Sequence, residues 1–124
     1  LRNAQGSIIA VTTAATDRYP IRDGLSASPK AAVEMLIRAL AAEEGKFGVR
    51  ANAIGPGMLT DGMAQKLIDQ GEYSQKDLDI AAGNIPLQRF GKAVDVAEAV
   101  CFLASKRANY ISGQILNIDG GYTA

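Results

Sequence analysis

Ser26 and Lys30 lie four positions apart in the segment Ser26-Ala27-Ser28-Pro29-Lys30-Ala31-Ala32-Val33, a spacing that sets a hydroxyl and an ammonium on one face of a helical turn. Upstream, the run Ser7-Ile8-Ile9-Ala10-Val11-Thr12 leads into a second hydroxyl pair, Thr12 and Thr13. A hydroxyl that donates a hydrogen bond and a cation that lends positive charge suit the holding of a ligand's oxygen atoms. Lys30 gains nothing from the positive end of the helix it opens, so a functional reason for its placement outweighs a solvated surface charge. Ser26 suits helix entry or ligand hydrogen bonding better than acid catalysis. An aliphatic hydroxyl is a far weaker acid than a phenol of pKa ~10, and each further pKa unit costs about 1.4 kcal/mol.

What is absent narrows the chemistry further. With no histidine in 124 residues, a Ser-His-Asp triad, a Cys-His pair and a histidine-ligated metal site are excluded within this chain. Thirteen basic residues balance thirteen acidic ones, which leaves no electrostatic footprint for nucleic acid or an anionic membrane. Small molecules or other subunits are the expected partners. The single cysteine, Cys101, sits in an apolar helical pattern and cannot close a disulfide within the chain, so a buried thiol in a reducing compartment is expected. No apolar run nears the ~18 residues needed to span a bilayer, and Leu1-Arg2-Asn3-Ala4-Gln5 lacks a signal-peptide layout; a cytoplasmic protein is the expectation. A hydrophobic content of 48% supplies one core of ordinary domain size. The start at Leu1, with a strand following almost at once, leads us to expect a piece of something longer.

The elements that must position these groups follow from pattern. The unbroken apolar run from Ser7 to Thr12 predicts a central parallel strand buried on both faces. Residues 14 to 26, rich in turn formers, predict a loop at its carboxyl end. Ser28 and Pro29 predict a helix start, and the helix runs to about Glu44 before Gly45 and Gly48 stop it. Val33, Leu36, Ile37 and Leu40 form one stripe on it, and Ala32, Met35, Ala39 and Ala42 a second, with Glu34 and Arg38 paired between them. Both stripes call for a cover, one of them the sheet and the other a helix of another subunit or of the same chain. Residues 49 to 54 predict a second strand ended by Gly55-Pro56-Gly57, completing a βαβ unit. Residues 58 to 91 carry weak helical periodicity, with Met63, Leu67 and Ile68 on one face, and predict a covering segment. A helix over residues 95–104 and a strand over 114–118, closed by Asp119-Gly120-Gly121, finish the chain. No internal repeat interrupts the order.

Five blocks now stand in order: Gly6-Ser7-Ile8-Ile9 with its hydroxyl pair, Lys30-Ala31-Ala32-Val33, Val49-Arg50-Ala51-Asn52 running into Pro56-Gly57, Pro86-Leu87-Gln88-Arg89-Phe90-Gly91, and Ile111-Ser112-Gly113-Gln114 through Asp119-Gly120-Gly121. In this order and spacing the chain resembles the short-chain dehydrogenase/reductase superfamily, over nearly its whole length but only over the second half of that fold. The resemblance implies an α/β chain, the C-terminal part of a doubly wound, Rossmann-type parallel sheet, supplying strands five to seven with flanking helices. Residues 1–124 would then be one portion of a single oxidoreductase domain, with 58–91 covering the substrate. The glycine-rich dinucleotide fingerprint lies in the other half, expected as another chain or an unresolved segment, and no G-x-G-x-x-G occurs here.

The same resemblance implies an NAD(P)-dependent enzyme that moves hydride between nicotinamide and a carbonyl or conjugated enoyl substrate. Lys30 matches the lysine that bonds the nicotinamide ribose and lowers the pKa of the catalytic tyrosine. Thr13 falls where a serine orients the substrate carbonyl. Pro56, Gly57, Met58 and Leu59 match the loop that meets the nicotinamide carboxamide, and Thr60 stands one residue nearer the glycine than the usual pyrophosphate-contacting threonine. Ser26 stands in the place of the tyrosine of Y-x-x-x-K. The 2,4-dienoyl-CoA reductases depart similarly, and Leu40-Ala41-Ala42-Glu43-Glu44-Gly45-Lys46-Phe47-Gly48-Val49-Arg50 resembles theirs as well. Some of these enzymes draw the proton from another tyrosine or a water; that tyrosine's place is Ala15 here, which leaves Tyr19 as the nearby phenol. The alternative is a non-catalytic relative that serves as a binding or assembly module, homo-oligomeric through helix 29–44.

Overall fold

A computed structural model of the chain describes residues 1–61 and 63–124, without the side chains of Met63, Ala64 and Leu67. The order is β1 (Ser7–Val11), α1 (Gly24–Glu44), β2 (Arg50–Pro56), α2 (Met63–Asp69), α3 (Gln75–Gly83), α4 (Ala93–Ala104) and β3 (Ile115–Ile118). The three strands form one parallel sheet in the order β1-β2-β3, with Ser7 opposite Arg50 and Ala53 opposite Ile115. Parallel neighbours need crossovers, and α1 supplies the first while α2, α3 and α4 lie within the second.

The central strand is β2, buried from Ala51 to Gly55. Its side chains alternate between two cores. Ala51 and Ala53 meet Ile37, Leu40 and Ala41 of α1, and Ile54 meets Val96, Leu103 and Val100 of α4, so a helix covers each face. On the α1 face the β2 side chains that meet the helix are the methyl groups of Ala51 and Ala53. The other inward residue of the α4 face, Asn52, is fully buried; its amide donates to Ile111 O at 2.9 Å and its oxygen accepts from Gln114 N at 3.0 Å. Arg50 caps the end of α4, donating to Leu103 O at 2.8 Å and Ser105 O at 3.2 Å, where a cation meets the negative end of the helix.

Several expectations change. Within this chain β1 is an edge strand, bonded to β2 alone and half-buried, because the central place goes to the strand with neighbours on both sides. The helix expected from Ser28 and Pro29 begins at Gly24, so Pro29 lies inside α1. The face of α1 against the sheet carries Ala27, Glu34 and Ile37, whereas Val33 and Leu36 remain 40% and 56% exposed. Glu34 forms no pair with Arg38; it is buried and bonded elsewhere. Cys101 is exposed on α4 rather than buried, since Leu103 and Val96 take the inward positions of that helix.

The glycine stop after α1 is physical: Gly48 closes a short 3-10 turn over residues 45–47 with φ at 76°, a left-handed conformation that costs a side chain energy. In the 58–91 stretch, α3 opens on a capping box in which Ser74 Oγ accepts from Asp77 N at 3.2 Å and the Asp77 carboxylate accepts from Ser74 N at 3.0 Å. The apolar face expected at Met63, Leu67 and Ile68 rests on two side chains outside the described residues. Among the described residues no helix is long and apolar enough to cross a membrane.

Candidate active site

At the carboxyl end of β1 the two-residue period puts Ile8, Ala10 and Thr12 toward α1 and carries Thr13 to the other side. Thr13 caps a 3-10 turn over residues 14–16: its Oγ1 accepts from Ala15 N at 3.2 Å and its carbonyl from Thr16 Oγ1 at 3.0 Å. The hydroxyl hydrogen of Thr13 has no acceptor among the described residues and is free for a ligand.

One element away, Ser26 and Lys30 meet as their spacing predicts. Lys30 Nζ donates to Ser26 Oγ and to Ser26 O, each at 3.1 Å. Because α1 starts at Gly24, both side chains stand on formed helix, and Ser26 orients the ammonium directly.

A third wall comes from the end of β2. Gly57 N donates to Ile118 O at 3.0 Å, and a Cβ at Gly57 would come within 2.8 Å of Asp119 Cα, so the close approach requires glycine. Met58 O accepts from Gly91 N at 2.9 Å, while the amides of Met58 and Leu59 donate to nothing among the described residues. Thr60 is turned away to this same contact, its N and Oγ1 donating to Gly91 O at 3.0 and 3.4 Å.

These ends enclose a cleft of about 800 Å³. Thr13, Pro56, Gly57, Met58 and Leu59 line one side of it, and Tyr73, Leu78 and Ile85 from the 58–91 stretch line another. Ser26, Lys30, Tyr19 and Thr60 are not part of that lining. Tyr19 is 57% exposed, with its Oη 3.4 Å from where a Gly24 Cβ would stand. It is not the sole phenol in the vicinity: Tyr73 and Tyr122 reach the cleft itself, a correction to the expectation that left Tyr19 alone.

The structure adds residues that the sequence pattern did not single out. Arg18 donates to Tyr122 O at 2.6 Å and stacks on its ring, and Asn117 donates to Asp17 at 2.6 Å, so the chain end is tied to the loop after β1. Asp61 accepts from Ala93 N at 2.8 Å, joining the segment after β2 to the start of α4. Burial raises the pKa of Asp119, but the Thr123 hydroxyl and the amides of Gly121, Thr123 and Tyr122 outweigh it and hold the carboxylate below its ordinary range. The Arg18, Asn117 and Asp61 contacts join residues far apart in sequence, and no spacing signals them. Among the described residues no group of three or more metal-ligating side chains occurs.

Comparison with known proteins decides the lineage. The sequence model of the family described as enoyl-(acyl carrier protein) reductase matches residues 1–123. The chain is 38% identical over 121 residues to 7alpha-hydroxysteroid dehydrogenase of Escherichia coli, covering 97% of this chain and 45% of that protein. It belongs to the short-chain dehydrogenase/reductase superfamily. Within that superfamily it is 36% identical over 124 residues to the peroxisomal 2,4-dienoyl-CoA reductase of Saccharomyces cerevisiae, covering 98% of this chain and 40% of the relative. The solved structure of ElxO with NADP bound superposes with a TM-score of 0.87 at 34% identity, covering 98% of this chain and 48% of that one. The chain thus spans less than half the length of these short-chain relatives, and its three-stranded parallel sheet with flanking helices is part of their Rossmann-type fold.

Proposed function

We propose that this chain is the C-terminal portion, residues 1–124, of an NAD(P)-dependent short-chain oxidoreductase that transfers hydride between nicotinamide and a carbonyl or conjugated enoyl substrate. The observation that supports the reading is the pairing of two donor sets at strand ends, the Thr13 hydroxyl and the Met58 and Leu59 amides, which have no acceptor among the described residues; on α1 the Lys30 ammonium is bonded to Ser26. Ligands bind at the carboxyl ends of strands in open α/β sheets, which is where Thr13 and the Met58 and Leu59 amides stand.

The residues fit a nicotinamide nucleotide. The bound cofactor supplies or accepts the hydride. The Met58 and Leu59 amides would hold its carboxamide, and the third N–H of Lys30 would hold a ribose hydroxyl, two donors already being aimed at Ser26. Thr13 would donate to the substrate oxygen and place the carbonyl or thioester against the cofactor. Residues 58–91 cover the cleft and exclude water. Ser26 stands where the superfamily's tyrosine would, so the proton comes from the Tyr19 phenol beside Gly24 or from a water held by Thr13 and Ser26.

The adenosine end of the cofactor requires the half of the fold that carries the fingerprint, which would pair along the open edge of β1. The exposed residues Met35 and Leu36 of α1, 61% and 56% accessible, favour a second subunit on that helix and make an assembly role the rival reading. Titration of the full-length protein with NADH and NADPH, followed by turnover with carbonyl and dienoyl-CoA substrates, tests both. Binding of one cofactor that is lost in Lys30→Ala supports the enzyme; no binding of either sinks it. Tyr19→Phe abolishes turnover if the phenol gives the proton and leaves it intact if water does.

A further inference from the structure

Glu34 is the residue of α1 that packing alone does not explain. It is 5% exposed on the alanine-lined face of the sheet, where a leucine would fill the space without losing hydration. Burying a carboxyl costs several kcal/mol unless partners replace water. Two do: Thr12 Oγ1 donates to Glu34 Oε1 at 2.7 Å, and Thr16 Oγ1 donates to the same oxygen at 3.0 Å. Thr12 is itself 6% exposed, and the pair brackets Thr13 and the turn it caps. Thr16 Oγ1 also lies 3.0 Å from Thr13 O, so its single hydrogen is shared between Glu34 Oε1 and the carbonyl at the start of that turn.

We infer that Glu34 is a positioning residue, which fixes the Thr13 hydroxyl relative to Lys30. The inference rests on the oxidoreductase reading above. Lys30 and Thr13 stand on different elements yet must meet one bound substrate and cofactor in register. Glu34 sits one helical turn beyond Lys30 and holds the residues on either side of Thr13, so a single side chain sets the distance between helix and strand end. A misplacement of ~1 Å in such a pair costs up to about 100-fold in rate, while the cofactor contacts of Lys30, Met58 and Leu59 are untouched.

The test uses the full-length protein with its preferred nicotinamide cofactor. Glu34→Leu lowers kcat by about 10-fold to 100-fold with the cofactor Kd unchanged, and Glu34→Gln, whose amide oxygen accepts the same two hydroxyls, restores most of it. In a Thr13→Ala background Glu34→Leu has no further effect on kcat, because the group it positions is gone. Thr16→Val repeats the experiment from the half-buried side of the contact should Glu34→Leu fail to fold, with a smaller loss that also vanishes in Thr13→Ala. Unchanged kcat in Glu34→Leu, or losses that add fully to that of Thr13→Ala, overturns the inference. A full-length protein that binds neither NADH nor NADPH overturns instead the reading on which it rests.

Discussion

On one face of the sheet Ile54, Val96 and Leu103 interlock with Ile9, Val100, Ile111 and Ile118, a core of branched side chains. On the other face Ala51 and Ala53 let α1 lie close to the backbone, and the contact ends in the bonded set of Thr12, Thr16 and Glu34. The first face buries large apolar groups and contributes stability. The second gives up side-chain volume for the close approach of α1, the helix that carries Ser26 and Lys30. Bulky packing and close helix approach are therefore divided between the two sides of β2.

The division can be broken from either side. The largest effect is expected for Leu103→Ala, which empties a 2% exposed position on the α4 face and lowers stability by about 2–5 kcal/mol. Urea denaturation reads the loss, and cofactor affinity of the folded fraction stays unchanged. Ala53→Leu attacks the α1 face by overfilling a fully buried site, for about 1–3 kcal/mol. Here the prediction sharpens: as α1 is pushed outward, turnover falls more steeply than stability does. Asn52→Ala strands Gln114 N and leaves Ile111 O only its longer bond from Arg50, and costs about 1–3 kcal/mol, with fast hydrogen exchange at Gln114 as the local signature.

The smallest effect is electrostatic. Asp119 has a depressed pKa in the folded chain, so the stability it lends is fully present above its ordinary value of 3.8 and is lost as pH falls below that toward the folded value. Asp119→Asn flattens the acid limb of a thermal-unfolding profile below about pH 4 and leaves neutral pH less affected than Leu103→Ala does. An identical acid limb in both proteins counts against the bonded carboxylate.

Much of this was legible beforehand. Strands over 7–12, 49–54 and 114–118 follow from short apolar runs bounded by glycine, and the structure places them at Ser7–Val11, Arg50–Pro56 and Ile115–Ile118. The Ser26 to Lys30 contact follows from one helical turn. The start of α1 did not follow. Proline at residue 29 mimics a first-turn signal, yet Gly24–Ser28 continue the helix upstream of it because the Pro29 ring leaves only one early helical bond unmade. The buried face of α1 was misread for a related reason. Apolar periodicity favours Val33 and Leu36, whereas the sheet beneath is lined by alanine and hydroxyls, to which Glu34 and Ile37 are the better match.

The sequence by itself determined the α/β class, the parallel order of elements, the lack of histidine within these 124 residues and the pairing of Ser26 with Lys30. All of these depend on local period, composition or a single turn, which the chain carries wherever it folds. Only the tertiary structure decided which face of α1 is buried, that Glu34 holds Thr12 and Thr16, that Tyr73 and Tyr122 reach the cleft, and that β2 rather than β1 is central here. Each of those depends on which distant surface arrives opposite a residue, and burial decides it through the partners that surface offers.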